Sequence, residues 1–493
     1  MRKVWLSPKN FSLMLVLAVI LLSSSIFFLK HAQSWHPVQF ADASSGKSSV
    51  STAIQASDTS TTTVFLPAIA HNYPPPPPVF GVEMQQISTS HGVNQAVDAD
   101  VYWVRRNGIK WHEVEATQGV RDWSVLSSFE DELELAYQNG MIPIVIVRGT
   151  PAWAQKVSGS YCGPIKQDAF DEFANFMKAL VNRYKQAPYD VKYWELGNEP
   201  DASTHSGDAA YGCWGDPSDD YFGGRHYGEM LKMIYPAIKE ADPNAQVLVG
   251  GLLLDKHPDH PLAGANPPAR FLEGILAACG DQDCFDIVSF HGYPHYTGQL
   301  EDWEITSPDN WANWGGLVAG KAEYLNQLLS SHGVDKPLMH TEGALICSSC
   351  TELTPDFQEA QADYVVQLYT RNMALDILGT VWFTLEGPGW RWSGLLNPDL
   401  SPKPVYNAFK FMTEELRDAQ YAGTVTGYPG LKGYTFQGKD KTIRVLWSPD
   451  NTTRNIDEPG GLIQAFDKYG NNITPIGGQI AIAFSPVYIE TAP

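Results

Sequence analysis

Between residues 79 and 416 the chain alternates short apolar runs with longer stretches of helical period. The runs fall at 79–84, 102–107, 142–147, 193–197, 247–252, 287–291, 337–341 and 381–384. Each is brief and apolar on both faces, as a buried parallel strand must be. Between them lie helix patterns. In 168–186, Phe170, Phe173, Met177, Leu180, Val181 and Tyr184 form one apolar stripe, and Asp168 is the expected N-cap. A second helix near 125–138 stops at Asn139-Gly140. Eight strands with crossovers in about 340 residues predict an α/β fold, a closed (β/α)8 TIM barrel over 79–417. A doubly wound open sheet is the alternative, but no Gly-rich phosphate turn follows 79–84. The last stretch, 418–493, has strand-like pieces at 442–446, 461–466 and 479–484 separated by Gly, Pro, Asn and Asp. It predicts a small C-terminal antiparallel β domain, read first as a stabilising appendage of the barrel.

The N-terminal pattern is different. Arg2, Lys3 and Lys9 precede an uncharged run from Phe11 to Leu29. Positive charge before such a run keeps the N-terminus in the cytoplasm and sends the rest across. Two readings of 1–35 stand. The first is an uncleaved signal anchor, since the run matches one membrane span. The second is a cleaved signal peptide with Ala41-Asp42-Ala43 as a late site. Both export the body, either secreted or held at the cell surface. Residues 44–63 are mostly Ser, Thr and Ala, and Pro74 to Pro78 are consecutive prolines. This composition cannot bury enough surface to fold, so 36–78 reads as a disordered linker, a tether in the anchored case.

Export bears on the six cysteines. Local bridges Cys279–Cys284 and Cys347–Cys350 leave Cys162 with Cys213. The Cys347-x-x-Cys350 pair has no second Cys or Cys/His pair beside it, so disulfides are expected and zinc is not. Lys and Arg total 34 against 55 Asp and Glu, a net charge of -21. With no cluster of positive charge, nucleic acid is excluded as a partner. The 15 Trp residues are compatible with stacking on sugar rings, although most buried Trp simply fill cores.

In a β/α barrel the functional residues stand at the C-terminal ends of the strands. The fourth run ends on Asn198 and Glu199, the seventh on Glu342, and the sixth on His291 and Tyr293. The second supplies Arg105 and Arg106, which compete for one inward position; Arg105 follows Trp103 and Val104 and is favoured. The eighth supplies Trp382, with Trp390 and Trp392 just beyond. Two carboxyl groups converging with an amide, an imidazole, a phenol and a guanidinium suit cleavage of a glycosidic bond. One carboxyl donates a proton to the leaving oxygen and the other attacks or stabilises the anomeric centre. Their surroundings must therefore separate their pKa values. Glu195 shares strand parity with Glu199 and is expected to fill the barrel, paired with an arginine. His340 is expected to share parity with Glu342 and to act structurally beneath it.

Asn198-Glu199-Pro200 at the end of strand four, with Glu342 at the end of strand seven, resembles clan A of the glycoside hydrolases. Trp103 to Arg105, Trp111 to Glu115, and Gly119 to Trp123 look like that clan's second strand and following loop. Thr150-Pro151-Ala152-Trp153 looks like its third-strand end, and His291-Gly292-Tyr293 matches a strand-six pattern seen in several families, family 5 included. The cadence and the trailing β domain are closest to family 39 and its secreted bacterial relatives. The resemblance covers about Val79 to Leu416. It implies a β/α barrel, retention of anomeric configuration and no organic cofactor. It implies Glu199 as acid/base and Glu342 as nucleophile. It implies substrate contacts from Asn198, Arg105, Trp153, His291, Tyr293 and Trp382, with Trp382 on the floor of the sugar site. The expected partner is an oligo- or polysaccharide with β linkages. A catalytically inactive carbohydrate-binding barrel at the cell surface is the alternative, and the pair of opposed carboxylates argues against it. A metal-dependent barrel hydrolase ranks last, because the first strand, Phe80 to Glu83, has no His-x-His.

Overall fold

The computed structural model describes residues 77–204, 212–306 and 311–493. The apolar run 11–29, and all of 36–78 except its last two residues, lie outside the described residues. Among the described residues no helix is long and apolar enough to cross a membrane.

Eight strands form a closed parallel barrel: β1 (Phe80–Glu83), β2 (Trp103–Lys110), β3 (Ile142–Arg148), β4 (Tyr193–Asn198), β5 (Gln246–Leu252), β6 (Ile287–Gly292), β7 (Leu338–Gly343) and β8 (Thr380–Trp382). β8 returns to β1, pairing Val381 with Gly81. The runs are apolar throughout because both faces are covered. Trp103, Ile144, Leu248, Ile287, Met339 and Val381 fill the barrel as one buried layer. Val104, Val145, Trp194, Val247 and Val288 point the other way, into the larger core shared with the helices.

A helix follows each strand: α1 (Val93–Asp98), α2 (Ser127–Gln138), α3 (Phe170–Tyr184), α4 (Gly224–Ala241), α5 (Phe271–Cys279), α6 (Leu317–Ser331), α7 (Pro355–Ala374) and α8 (Pro404–Leu416). The six stripe residues of α3 are all buried. Asp168 does not cap this helix. It lies inside a tight 3-10 turn, Gln167–Ala169, that runs straight into α3, and its side chain faces solvent beside Lys166 at 3.5 Å.

The C-terminal part is antiparallel. Strands β9 (Gln420–Thr424), β10 (Lys432–Gln437), β11 (Thr442–Trp447), β12 (Arg454–Asp457), β13 (Leu462–Asp467), β14 (Asn472–Ile473), β15 (Gln479–Ile482) and β16 (Val487–Thr491) form a six-stranded sheet in the order β14-β13-β16-β11-β10-β9 and a β12–β15 pair. The sheet packs on the last two barrel helices. Phe411 of α8 meets the rings of Phe466 and Tyr488, and Lys468 pairs with Asp363 of α7 at 2.5 Å. The three disulfides are Cys162–Cys213, Cys279–Cys284 and Cys347–Cys350, as expected.

Candidate active site

Strand parity decides between the two arginines. Trp103 points into the barrel, so Arg105, two residues on, does the same and Arg106 points out. Arg106 reaches Glu132 of α2 at 2.6 Å. Arg105 is fully buried and serves four groups. Its Nε donates to Glu195 Oε2 at 2.6 Å, and its Nη2 to Asn198 Oδ1 at 2.7 Å. Its Nη1 donates to Glu83 Oε2 at 2.6 Å and also to Glu342 Oε1. The other oxygen of Glu195 accepts from Ser289 at 2.8 Å and Thr341 at 3.0 Å. Glu195 is thus saturated inside the barrel and holds the guanidinium in place from below, as its parity suggested.

Glu342 Oε2 accepts from the Tyr293 hydroxyl at 2.5 Å. His291 Nδ1 lies 2.8 Å from Glu199 Oε1 and 3.4 Å from Glu342 Oε2. Nδ1 is thus hydrogen-bonded to Glu199 and close to Glu342, while Nε2 is buried without a partner. The imidazole fits only because its neighbour on β5 is Gly251. A Cβ there would stand 2.0 Å from His291 Nε2. The carbonyl of Gly251 also accepts from the Glu199 amide at 3.0 Å. Glu199 itself has φ 52°, the left-handed region that costs a non-Gly residue on the order of 1–3 kcal/mol. The fold thus accepts strain at the residue that aims this carboxyl group.

The electrostatics follow from burial. Burial pushes His291 down to about 4, so the imidazole is neutral at neutral pH. Burial, and then the Glu342 charge, push the Tyr293 hydroxyl well above its usual range, so it remains a donor. Glu83 is raised to about 8, first by burial; Arg105 opposes this, and Glu342 and Glu195 add to it. Burial alone would lower Arg105, but Glu195, Glu83 and Glu342 hold it well above the ordinary value.

Atoms of Glu199, His291 and Glu342 lie within 4.8 Å of one another, a set that could also surround a cation. Arg105 and Tyr293 already take both oxygens of Glu342, and Arg105 supplies positive charge at that position. The positive charge of Arg105 at this position therefore disfavours a divalent ion there.

The structure thus gathers Arg105, Asn198, Glu199, His291, Tyr293 and Glu342 into one hydrogen-bonded cluster. Two expected residues stand elsewhere. Trp153 is half-buried in the loop after β3, edge-on to Trp111, with its indole N–H on the Glu115 carbonyl at 3.0 Å. Trp382 is fully buried and offers no ring face to a ligand. Val381 fills the barrel, so the next side chain must point outward. There Trp382 lies near Tyr364 of α7 and donates to the Ser393 carbonyl at 2.8 Å. Phe383 returns to the rim, its ring 6.2 Å from that of Tyr293. His340 is buried and structural, as expected, but it does not lie beneath Glu342. It points outward to Asn372 of α7 at 3.1 Å, because register shifts on both sides of β7 break the simple alternation before Glu342. Glu83 was missed, although the strand-end rule applied to β1 would have found it.

The model of the cellulase family (glycosyl hydrolase family 5) matches residues 71–330, which ends within α6 and before Glu342. A family 39 glycoside hydrolase from the gut symbiont Bacteroides cellulosilyticus WH2 is 19% identical with a TM-score of 0.63, over 85% of this chain and 81% of that one. A conserved exported protein from Bacteroides fragilis is 13% identical with a TM-score of 0.61, over 84% and 98%. A GH30 endoxylanase from Clostridium papyrosolvens C71 is 14% identical with a TM-score of 0.54, over 85% and 97%. At these identities the likeness is one of fold. Among curated proteins the chain has no match. The family match spans more than half of the chain and runs through Arg105, Glu199 and His291, so the chain belongs to glycosyl hydrolase family 5, the cellulase family.

Proposed function

We propose that this glycosidase cleaves β-linked glycans with retention of configuration, using Glu342 as nucleophile and Glu199 as acid/base. The observation that carries the reading is the separation of the two groups. Their nearest carboxylate oxygens are no more than 4.8 Å apart. A retaining pair stands about 5–5.5 Å apart, whereas an inverting pair needs about 6.5–9.5 Å to admit a water.

The surrounding residues divide the labour. Arg105 and Tyr293 grip both oxygens of Glu342 and aim the carboxylate. Glu342 attacks the anomeric carbon while Glu199 gives its proton to the departing oxygen. The glycosidic bond breaks and a glycosyl ester forms on Glu342. Glu199, now ionised, takes a proton from water, whose oxygen attacks the same carbon and releases Glu342 as a carboxylate. His291 is neutral, so it orients Glu199 without adding a charge that would compete for its proton. Asn198, tied to Arg105, stands beside the acid as a binding group. Three disulfides support an oxidising compartment, outside the cell or at its surface.

The test is a side-by-side assay of wild type and Glu342→Gln on aryl β-glycosides and soluble β-linked polysaccharides. Wild type should release sugar, and the variant should lose at least about 10³-fold in kcat. A wild type inert on the whole panel, or a variant that keeps its activity, would sink the proposal.

A further inference from the structure

Trp390 is the tryptophan that the described residues leave most open, with 46% of its surface exposed. It stands on the loop after β8, and its ring centre is 5.1 Å from that of Tyr293, the residue bonded to Glu342. An indole on a surface loop ordinarily folds back to shed its apolar faces. This one is held out by its surroundings. Arg391 lies over the Trp390 ring, its guanidinium carbon 4.4 Å from the ring centre, which fixes one face.

The backbone beneath it is strained. Arg391 has φ 50° and Trp392 has φ 71°, two successive non-Gly residues in the left-handed region. Such strain persists only where neighbours over-determine it. Here the neighbours are the Cys347–Cys350 loop, which leaves β7 just after Glu342. The Cys347 amide donates to the Arg391 carbonyl at 3.3 Å, and the Trp392 indole donates to the Cys350 carbonyl at 3.2 Å. Arg391 Nη1 donates to Ser348 Oγ at 2.7 Å. The short disulfide loop thus grips the turn that presents Trp390.

We infer that Trp390 is a stacking platform for a sugar ring adjoining the bond to be cleaved, and that the Cys347–Cys350 disulfide loop is its positioning element. The ligand class is a β-linked oligosaccharide, whose pyranose C–H faces match an exposed indole. The inference rests on the proposed function for the position of the cleaved bond, but it concerns binding and can be read without turnover.

The experiment uses the full chain carrying Glu342→Gln, with cellotetraose and xylotetraose as probes. Intrinsic fluorescence and calorimetry follow binding in that background, in Glu342→Gln/Trp390→Ala, and in Glu342→Gln/Cys347→Ser/Cys350→Ser. At least one tetrasaccharide should bind and perturb tryptophan emission. Trp390→Ala should weaken that binding about tenfold and abolish most of the emission change. Trp390→Phe, which keeps a ring, should recover part of the affinity. The serine pair should weaken binding in the same direction while the barrel still melts in one cooperative transition, at a modestly lower temperature. In an otherwise wild-type enzyme, Trp390→Ala should raise KM for the tetrasaccharide more than for an aryl monoglycoside. Binding of neither probe, or equal affinity with and without Trp390, overturns the platform. An unchanged affinity in the serine pair overturns the role of the disulfide. Trp390-dependent binding with no turnover by wild type would leave the platform standing and remove the proposed function instead.

Discussion

Glu83 and Glu342 accept hydrogen bonds from the same nitrogen, Nη1 of Arg105, although they stand on β1 and β7 with β8 between them. Glu195 holds Nε of the same guanidinium. Three carboxyl groups therefore face one positive charge; burial first, and then the charges of Glu342 and Glu195 against the opposing pull of Arg105, raise Glu83 to about 8.

Glu83 then makes stability depend on pH with a definite sign. Its folded value lies above the unfolded value near 4.5, so the folded state binds the proton more tightly. That contribution is fully present below about pH 4.5 and is lost as pH rises through about 8. Glu83→Gln cannot titrate. Denaturation midpoints measured from pH 5 to pH 8.5 should fall in wild type relative to the variant. A difference that stays constant across the range would contradict the protonated state of Glu83.

Arg105→Ala would leave these carboxyl groups facing one another without their cation. Breaking a buried charge pair on one side costs about 3–5 kcal/mol. Urea unfolding should show a loss of that size. Arg105→Lys should recover only part of it, since a single ammonium cannot reproduce the fork that serves Glu195, Asn198, Glu83 and Glu342. A near-wild-type midpoint for Arg105→Ala would mean that the cluster is not arranged as described.

The barrel was legible because each strand is covered on both faces and so reads as an unbroken apolar run. The strand ends then named Arg105, Asn198, Glu199, His291, Tyr293 and Glu342, since barrel topology brings those ends to one rim. What failed was local parity. β8 has three residues, so a one-residue shift in its start turns Trp382 from floor to outer core. His340 and Glu342 were assigned one face, but the register shifts along β7 break the alternation. The sharing of one guanidinium by Glu83 and Glu342 arises from closure of the barrel, which spacing along a chain does not record. Of the eight C-terminal strands, those missed include polar ones such as Gln420–Thr424 and Arg454–Asp457, and also the buried Val487–Thr491, whose partners Thr442–Trp447 and Leu462–Asp467 are supplied by the fold and not by its own short pattern.

The Cys162–Cys213 bridge closes the longest of the three disulfide loops, with a sequence separation of 51. Loop-closure entropy for that length amounts to about 4 kcal/mol at most. Cys162→Ser/Cys213→Ser should therefore lower the unfolding free energy by roughly 2–4 kcal/mol, whereas opening Cys279–Cys284, with a separation of 5, should cost less. Thiol titration of the denatured wild type should find almost no free SH. Two or more free thiols per chain would contradict the pairing.

The division of labour between Glu342 and Glu199 is tested most directly by the configuration of the products. Proton NMR of the first-formed sugar from wild type should show the anomer of the substrate. Azide added to Glu342→Ala should occupy the vacated space and give a glycosyl azide of inverted configuration. Azide added to Glu199→Ala, with an aryl glycoside of good leaving group, should intercept the covalent intermediate and give the retained azide. An inverted sugar from wild type, or azides of exchanged configuration, would contradict the account.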